Sequence, residues 1–153
     1  MRLNAPTLLV IEDARDQAIL VGIAARRAHS GLDVRVARDG LEGIAYLAGL
    51  APYDDRRANP TPNLIILDLI MPEVDGFEVL EWVRKHPDPA RGPVIVLTSS
   101  SNPADEARSL HLGAEAFHRK PSDLDDLGAV VRELVRKWIG ESDLIGAHIW
   151  ASG

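Results

Sequence analysis

The side chains in this sequence best suited to chemistry are Glu12, Asp13, Asp68, Thr98 and Lys120. Three carboxylates, a hydroxyl and an ammonium, with no histidine among them, make an oxygen-rich set balanced by one cation. Such a set suits a hard divalent ion. Mg2+ takes oxygen ligands in octahedral geometry, keeps several waters and completes its shell with substrate phosphate oxygens. Clustered carboxylates repel one another, so a divalent cation is the natural compensation. A lysine beside them supplies a compact positive charge for a phosphoryl oxygen. A helix dipole or backbone amides near Ser99 can add to it. Taken singly, each residue has a plainer role: Asp68 can simply end a strand, Thr98 can be a strand-end hydroxyl, Phe117 a core aromatic and Lys120 a solvated charge. Their common position is what joins them.

That position follows from the elements that carry them. Leu64-Ile65-Ile66-Leu67 is wholly apolar, as in a strand covered on both faces of a parallel sheet, and it ends on Asp68. Thr7-Leu8-Leu9-Val10-Ile11 is a second such strand and runs into Glu12 and Asp13. Pro93 to Thr98 is a third, ending on its hydroxyl and followed by Ser99, Ser100 and Ser101. Ala116-Phe117-His118-Arg119 is a short strand leading into Lys120-Pro121, with His118 and Arg119 expected at the surface. Leu32 to Val36 alternates apolar and polar, as a strand nearer the sheet edge does.

Helices are expected between these strands. Arg15 to Arg27 places Ile19, Leu20, Ile23 and Ala24 on one face, and Asp39-Gly40 opens a short, Gly- and Ala-rich helix of low propensity ending near Gly49. Phe77, Val79, Leu80, Trp82 and Val83 form a broad apolar face that stops at His86-Pro87-Asp88-Pro89. Asn102 and Pro103 read as cap and first-turn proline of a helix to about Leu112, closed by Gly113. Ser122 can cap the last helix, in which Leu124, Leu127, Val131, Leu134 and Trp138 recur at helical spacing. Five strands alternating with five helices imply an α/β, doubly wound parallel sheet with right-handed crossovers. In such a sheet the carboxyl ends of the strands converge on one crevice.

Composition narrows the class. The 153 residues suit one domain with a real core, and 46% hydrophobic with 26% charged residues describe an ordered globular chain. Without cysteine there are no disulfides, thiolate metal sites or cysteine nucleophiles. No run is long and apolar enough for a membrane helix, no signal pattern opens the chain, and a cytoplasmic protein is the default expectation. A formal charge of −6 argues against non-specific nucleic-acid binding. Residues 51–62, polar and rich in proline, read as a solvated connection, with a partner-binding loop as the alternative.

The ordered pieces Val10-Ile11-Glu12-Asp13, Ile66-Leu67-Asp68-Leu69-Ile70-Met71-Pro72 with Asp75-Gly76, Val96-Leu97-Thr98-Ser99 and Gly113-Ala114 through Lys120-Pro121 resemble a response-regulator receiver domain of two-component signalling. The resemblance spans residues 7 to about 139 and implies a flavodoxin-like fold with strand order 2-1-3-4-5, the order given for a chemotaxis relative. It divides the chain into a receiver domain, 1–139, and a C-terminal extension, 140–153, that frays or docks on the domain or another subunit. It implies that Asp68 is the phosphoacceptor for a sensor histidine kinase. Asp13, Asp68 and the Ile70 carbonyl would hold Mg2+ directly, with Glu12 acting through water. Lys120 would pair with the phosphoryl group, its bond to Pro121 being cis. Thr98 would move to a phosphoryl oxygen and Phe117 would turn inward behind it, a local charge event read out at a distant surface.

Two positions depart from the commonest pattern of that family. Ile70 is apolar and Ser100 is small and uncharged, and in the family these positions flank the path of the hydrolytic water. The aliphatic suggests a longer-lived phosphoaspartate, although Ser100 can act the other way. The long loop and terminal extension resemble single-domain receivers that partner phytochrome-type kinases. With about 14 residues left after the last helix, output is expected through protein contact, phosphorelay or a homodimer, with no membrane or nucleic-acid partner. Such a protein is not an enzyme beyond its own phosphorylation and dephosphorylation. The alternatives are a phosphorylation-independent binding module on the same fold and, more remotely, an Mg2+-dependent aspartyl phosphohydrolase, whose usual second Asp is replaced here by Ile70.

Overall fold

A computed structural model describes residues 5–140. The chain alternates β1 (Thr7–Ile11), α1 (Arg15–Ala28), β2 (Asp33–Ala37), α2 (Gly40–Ala48), β3 (Leu64–Leu67), α3 (Gly76–Lys85), β4 (Val94–Thr98), α4 (Pro103–His111), β5 (Ala116–Arg119) and α5 (Leu124–Trp138). All neighbouring strands pair in parallel, in the order β2-β1-β3-β4-β5. The doubly wound fold expected from the pattern is the one observed.

Burial explains the pattern. The central strands β1, β3 and β4 are buried at every position, because helices cover both faces of the sheet. One apolar cluster takes Leu9, Ile11, Ile65, Leu67 and Val96 against Phe77, Val79 and Leu80 of α3 and Tyr46 and Leu47 of α2. The other takes Leu8, Val10, Ile66, Ile95 and Leu97 against α1 and α5. Alternate residues of each strand therefore feed opposite cores.

The buried face of α1 matches the expected one only in part: Ala24 is buried and Leu20 packs against the core. Ile19 and Ile23 are exposed, and the helix buries Ala18, Val21, Gly22, Ala24, Ala25 and Ala28. Small residues let α1 approach its neighbour α5 closely: a Cβ on Gly128 of α5 would stand only 3.8 Å from the Cβ of Ala24. Leu124 is likewise exposed at the start of α5, and that helix is capped by Asp123 instead of Ser122, through bonds from the amides of Asp125 and Asp126. A carboxylate answers the first-turn amides and the helix dipole together.

The loop at 51–62 is a built element, not a merely solvated link. Tyr46 Oη donates to the carbonyl of Pro60 at 2.8 Å and Tyr53 Oη to Glu42 Oε1 at 2.8 Å. Arg56 donates to the Leu47 carbonyl at 2.8 Å and so satisfies the free end of α2. Leu144, Ile145, Ile149 and Trp150 of the extension lie outside the described residues.

Candidate functional site

The crevice is assembled by strand register. The Asp68 amide donates to the Ile11 carbonyl at 3.1 Å and the Glu12 amide to the Ala37 carbonyl at 3.0 Å. These bonds continue the ladder one step past the strands and bring the acids side by side. Glu12, Asp13 and Asp68 each offer a carboxylate oxygen within 4.8 Å of the others. Asp13 is exposed, whereas Glu12 and Asp68 are buried. Two sunken acids and one at the rim, all oxygen donors, fit a hard divalent cation that keeps part of its water.

Asp68 is held in place by the loop that follows it. Its Oδ1 accepts from the amide of Ile70 at 3.2 Å, and α3 begins directly beneath it. A Cβ on Gly76 would lie 2.5 Å from the Asp68 carbonyl oxygen and 2.6 Å from Leu69 Cα. Only glycine lets the helix start so near the acid, and Asp75 caps it by accepting from the Glu78 amide at 3.0 Å. Asp39-Gly40 repeats the device at α2, where a Cβ on Gly40 would lie 2.3 Å from the Val74 carbonyl oxygen.

Lys120 enters from the far side of the sheet. Its amide donates to the Thr98 carbonyl at 2.8 Å, extending the β4–β5 ladder. Its Nζ donates to Asp68 Oδ2 at 3.0 Å, to Glu12 Oε1 and to Gln17 Oε1. Burial would lower the Lys120 pKa, but the hydrogen bond to Glu12 and the charges of Asp68 and Glu12 raise it. Lys120 is therefore a cation at neutral pH. Burial pushes the Glu12 carboxyl up from 4.5 to about 7; the bond from Lys120 opposes the rise and the charge of Asp68 adds to it. One cation does not balance these acids, which is the electrostatic case for a second.

Thr98 is fully buried, and its Oγ1 accepts from the Ser100 amide at 3.3 Å. Phe117 is half-buried against the α2–α3 side of the core, with the Arg119 guanidinium 6.0 Å from its ring centroid. Ile70 is 56% exposed at the mouth, and its backbone amide donates to Asp68. The Lys120–Pro121 bond is not cis; the cis bond among the described residues is Ala51–Pro52. Trans is the cheaper isomer of an X–Pro bond by about 0.5–1 kcal/mol, and Lys120 reaches its partners without the change. Gln17 was not singled out from the sequence, although its place four residues after Asp13, on the same face of a helix start, was the available signal.

The sequence profile of the response regulator receiver domain matches residues 8–132. The chain belongs to that family. Response regulator Rcp1 of Synechocystis sp. is 34% identical over 137 residues, 89% of this receiver chain and 91% of Rcp1. Among solved structures, the phosphorylated cyanobacterial phytochrome response regulator RcpA superposes with a TM-score of 0.80 at 32% identity, covering 88% of this chain and 94% of that one. The Mn2+-bound form of Rcp1 gives 0.78 at 34% identity, over 87% and 94%. The DNA-binding regulator RpaA of Synechocystis sp. is also 34% identical, but the 132 matched residues are 50% of its length. This receiver therefore shares its site-bearing domain with regulators of different overall size. Among the described residues no helix is long and apolar enough to cross a membrane.

Proposed function

We propose that this receiver is a phosphoacceptor switch in a two-component pathway, taking a phosphoryl group on Asp68 from a histidine kinase. The observation that carries the reading is the placing of Lys120 Nζ 3.0 Å from Asp68 Oδ2 with Glu12 and Asp13 alongside. An oxygen of Asp68 forms a bond to phosphorus as the bond from phosphorus to the histidine nitrogen breaks, and that nitrogen regains a proton from solvent. Asp13, Asp68 and the Ile70 carbonyl would hold Mg2+, with Glu12 behind them, and the ion would supply positive charge to offset the phosphoryl oxygens. Lys120 exchanges its carboxylate partners for a phosphoryl oxygen. Thr98 then moves to another, and Phe117 follows.

On this reading the protein is not an enzyme beyond its own phosphorylation and dephosphorylation. Its donor is a sensor histidine kinase of the phytochrome type, a choice supported by the name of its relative RcpA, a phytochrome response regulator. It works in the cytoplasm, and its output is contact with a protein target, phosphotransfer or a homodimer, with 1–139 as the switch and 140–153 as an extension. Intact-mass analysis after incubation with acetyl phosphate and Mg2+ tests the core of this. Wild type gains one phosphoryl group, Asp68→Asn gains none and chelator abolishes the gain. No gain in wild type at any Mg2+ concentration sinks the proposal and leaves the phosphorylation-independent binding module.

A further inference from the structure

Ser100 stands between the buried Thr98 and the first turn of α4, and it is tied to both. Its amide donates to Thr98 Oγ1 at 3.3 Å. Its own hydroxyl donates to the Asp105 carboxylate and accepts from the Asn102 amide at 3.3 Å. Ser100 is only 7% exposed, so its bond to Thr98 is shielded from bulk water, while those to Asp105 and from Asn102 are partly shielded. Asp105 is itself fixed, because its carbonyl accepts from the hydroxyl of the fully buried Ser109 at 2.7 Å, one turn further along α4. A charge-assisted bond from a buried hydroxyl to a helix-borne carboxylate is a strong tether in this setting.

We propose that Asp105 is the positioning residue that makes α4 follow Thr98. The inference rests on the phosphoacceptor reading above and adds the route by which the event at Asp68 leaves the site. When Thr98 turns to a phosphoryl oxygen, its Oγ1 leaves the amide of Ser100. Ser100 cannot reorganise alone, since its hydroxyl is anchored on Asp105. The loop and the start of α4 therefore shift as one piece, and α4 presents a different surface. With the tether cut, Thr98 still moves but α4 stays behind. Couplings of this kind are worth about 5- to 150-fold in an equilibrium, so cutting it has a measurable effect.

The test is backbone-amide NMR on the full chain with Mg2+, before and after beryllofluoride as the phosphoryl mimic. In wild type the amides of Asp13, Asp68 and Ile70 and those of residues 104–111 all shift. In Asp105→Ala the site amides shift as in wild type, whereas the α4 shifts fall below about half. Asp105→Asn, which keeps an acceptor oxygen and the helix start, gives an intermediate loss and serves if Asp105→Ala does not fold. Adding Asp105→Ala to Ser100→Ala produces no further loss, which a merely structural role for Asp105 would not predict. Full α4 shifts in Asp105→Ala, or effects that add in the double variant, overturn the inference. A wild type in which even the site amides stay still overturns the phosphoacceptor reading, and this inference falls with it.

Discussion

Lys120 Nζ donates to Asp68 Oδ2 across 3.0 Å, although 52 residues separate them in the chain. The contact is possible because β3 and β5 end at the same edge of the sheet with β4 between them. The lysine thus neutralises carboxylates that could otherwise serve a divalent ion. Competition for the same carboxylates follows, and several outcomes can be measured.

Lys120→Ala removes the competing cation. Divalent-ion affinity, read by calorimetric titration with Mg2+ or Mn2+, rises by on the order of tenfold. Phosphorylation by acetyl phosphate falls at the same time, because the phosphoryl oxygen loses its ammonium. Unchanged affinity would show that the lysine and the ion do not share ligands.

The raised carboxyl of Glu12 makes stability depend on pH in a defined window. Its folded pKa of about 7 lies above the ordinary 4.5, so the folded state holds this proton more tightly than the unfolded chain does. Its stabilising contribution is complete below about 4.5 and is lost as pH rises to about 7. In metal-free protein, the stability of wild type relative to Glu12→Gln therefore falls across that window, by on the order of 1–3 kcal/mol. Denaturant melts at intervals of pH measure it. Saturating Mg2+ reverses the fall, since the ion favours the deprotonated acids.

Gly76→Ala places a methyl group 2.5 Å from the Asp68 carbonyl oxygen. The helix start must move, at a cost of about 1–3 kcal/mol from overpacking. Because the displaced atoms belong to Asp68 and Leu69, divalent-ion affinity drops with stability. A variant that melts lower but binds the ion normally would detach Gly76 from the site.

Ile70→Asn replaces the exposed aliphatic at the mouth with an amide able to hold water. The phosphoaspartate of this variant decays faster than that of wild type, followed by the loss of the phosphoryl mass with time. Equal lifetimes would mean that the Ile70 side chain does not limit water entry.

How much of this was legible beforehand depends on the range of the interaction involved. The long apolar runs at Leu64–Leu67, Thr7–Ile11 and Val94–Thr98 announced central strands, since only a sheet covered on both faces buries every residue of a strand. With those strands parallel, Glu12, Asp13, Asp68, Thr98 and Lys120 had to meet at one edge. The family resemblance added the strand order, which the sheet shows, and the proposed roles of these residues.

What the sequence could not decide was which of two chemically reasonable contacts a folded neighbour selects. Hydrophobicity ranks Ile19 and Ile23 above Ala25 and Ala28, yet the core shared with α5 takes the small residues and leaves the isoleucines outside. Gln17 and Asp105 look like ordinary polar surface residues until a folded chain brings Lys120 onto the first and the Ser100 hydroxyl onto the second. The polar stretch at 51–62 owes its order to tyrosine and arginine bonds to α2. Periodicity and composition are properties of a segment and can be read along the chain. Packing distance and hydrogen-bond partnership are properties of pairs, and only the tertiary structure sets them.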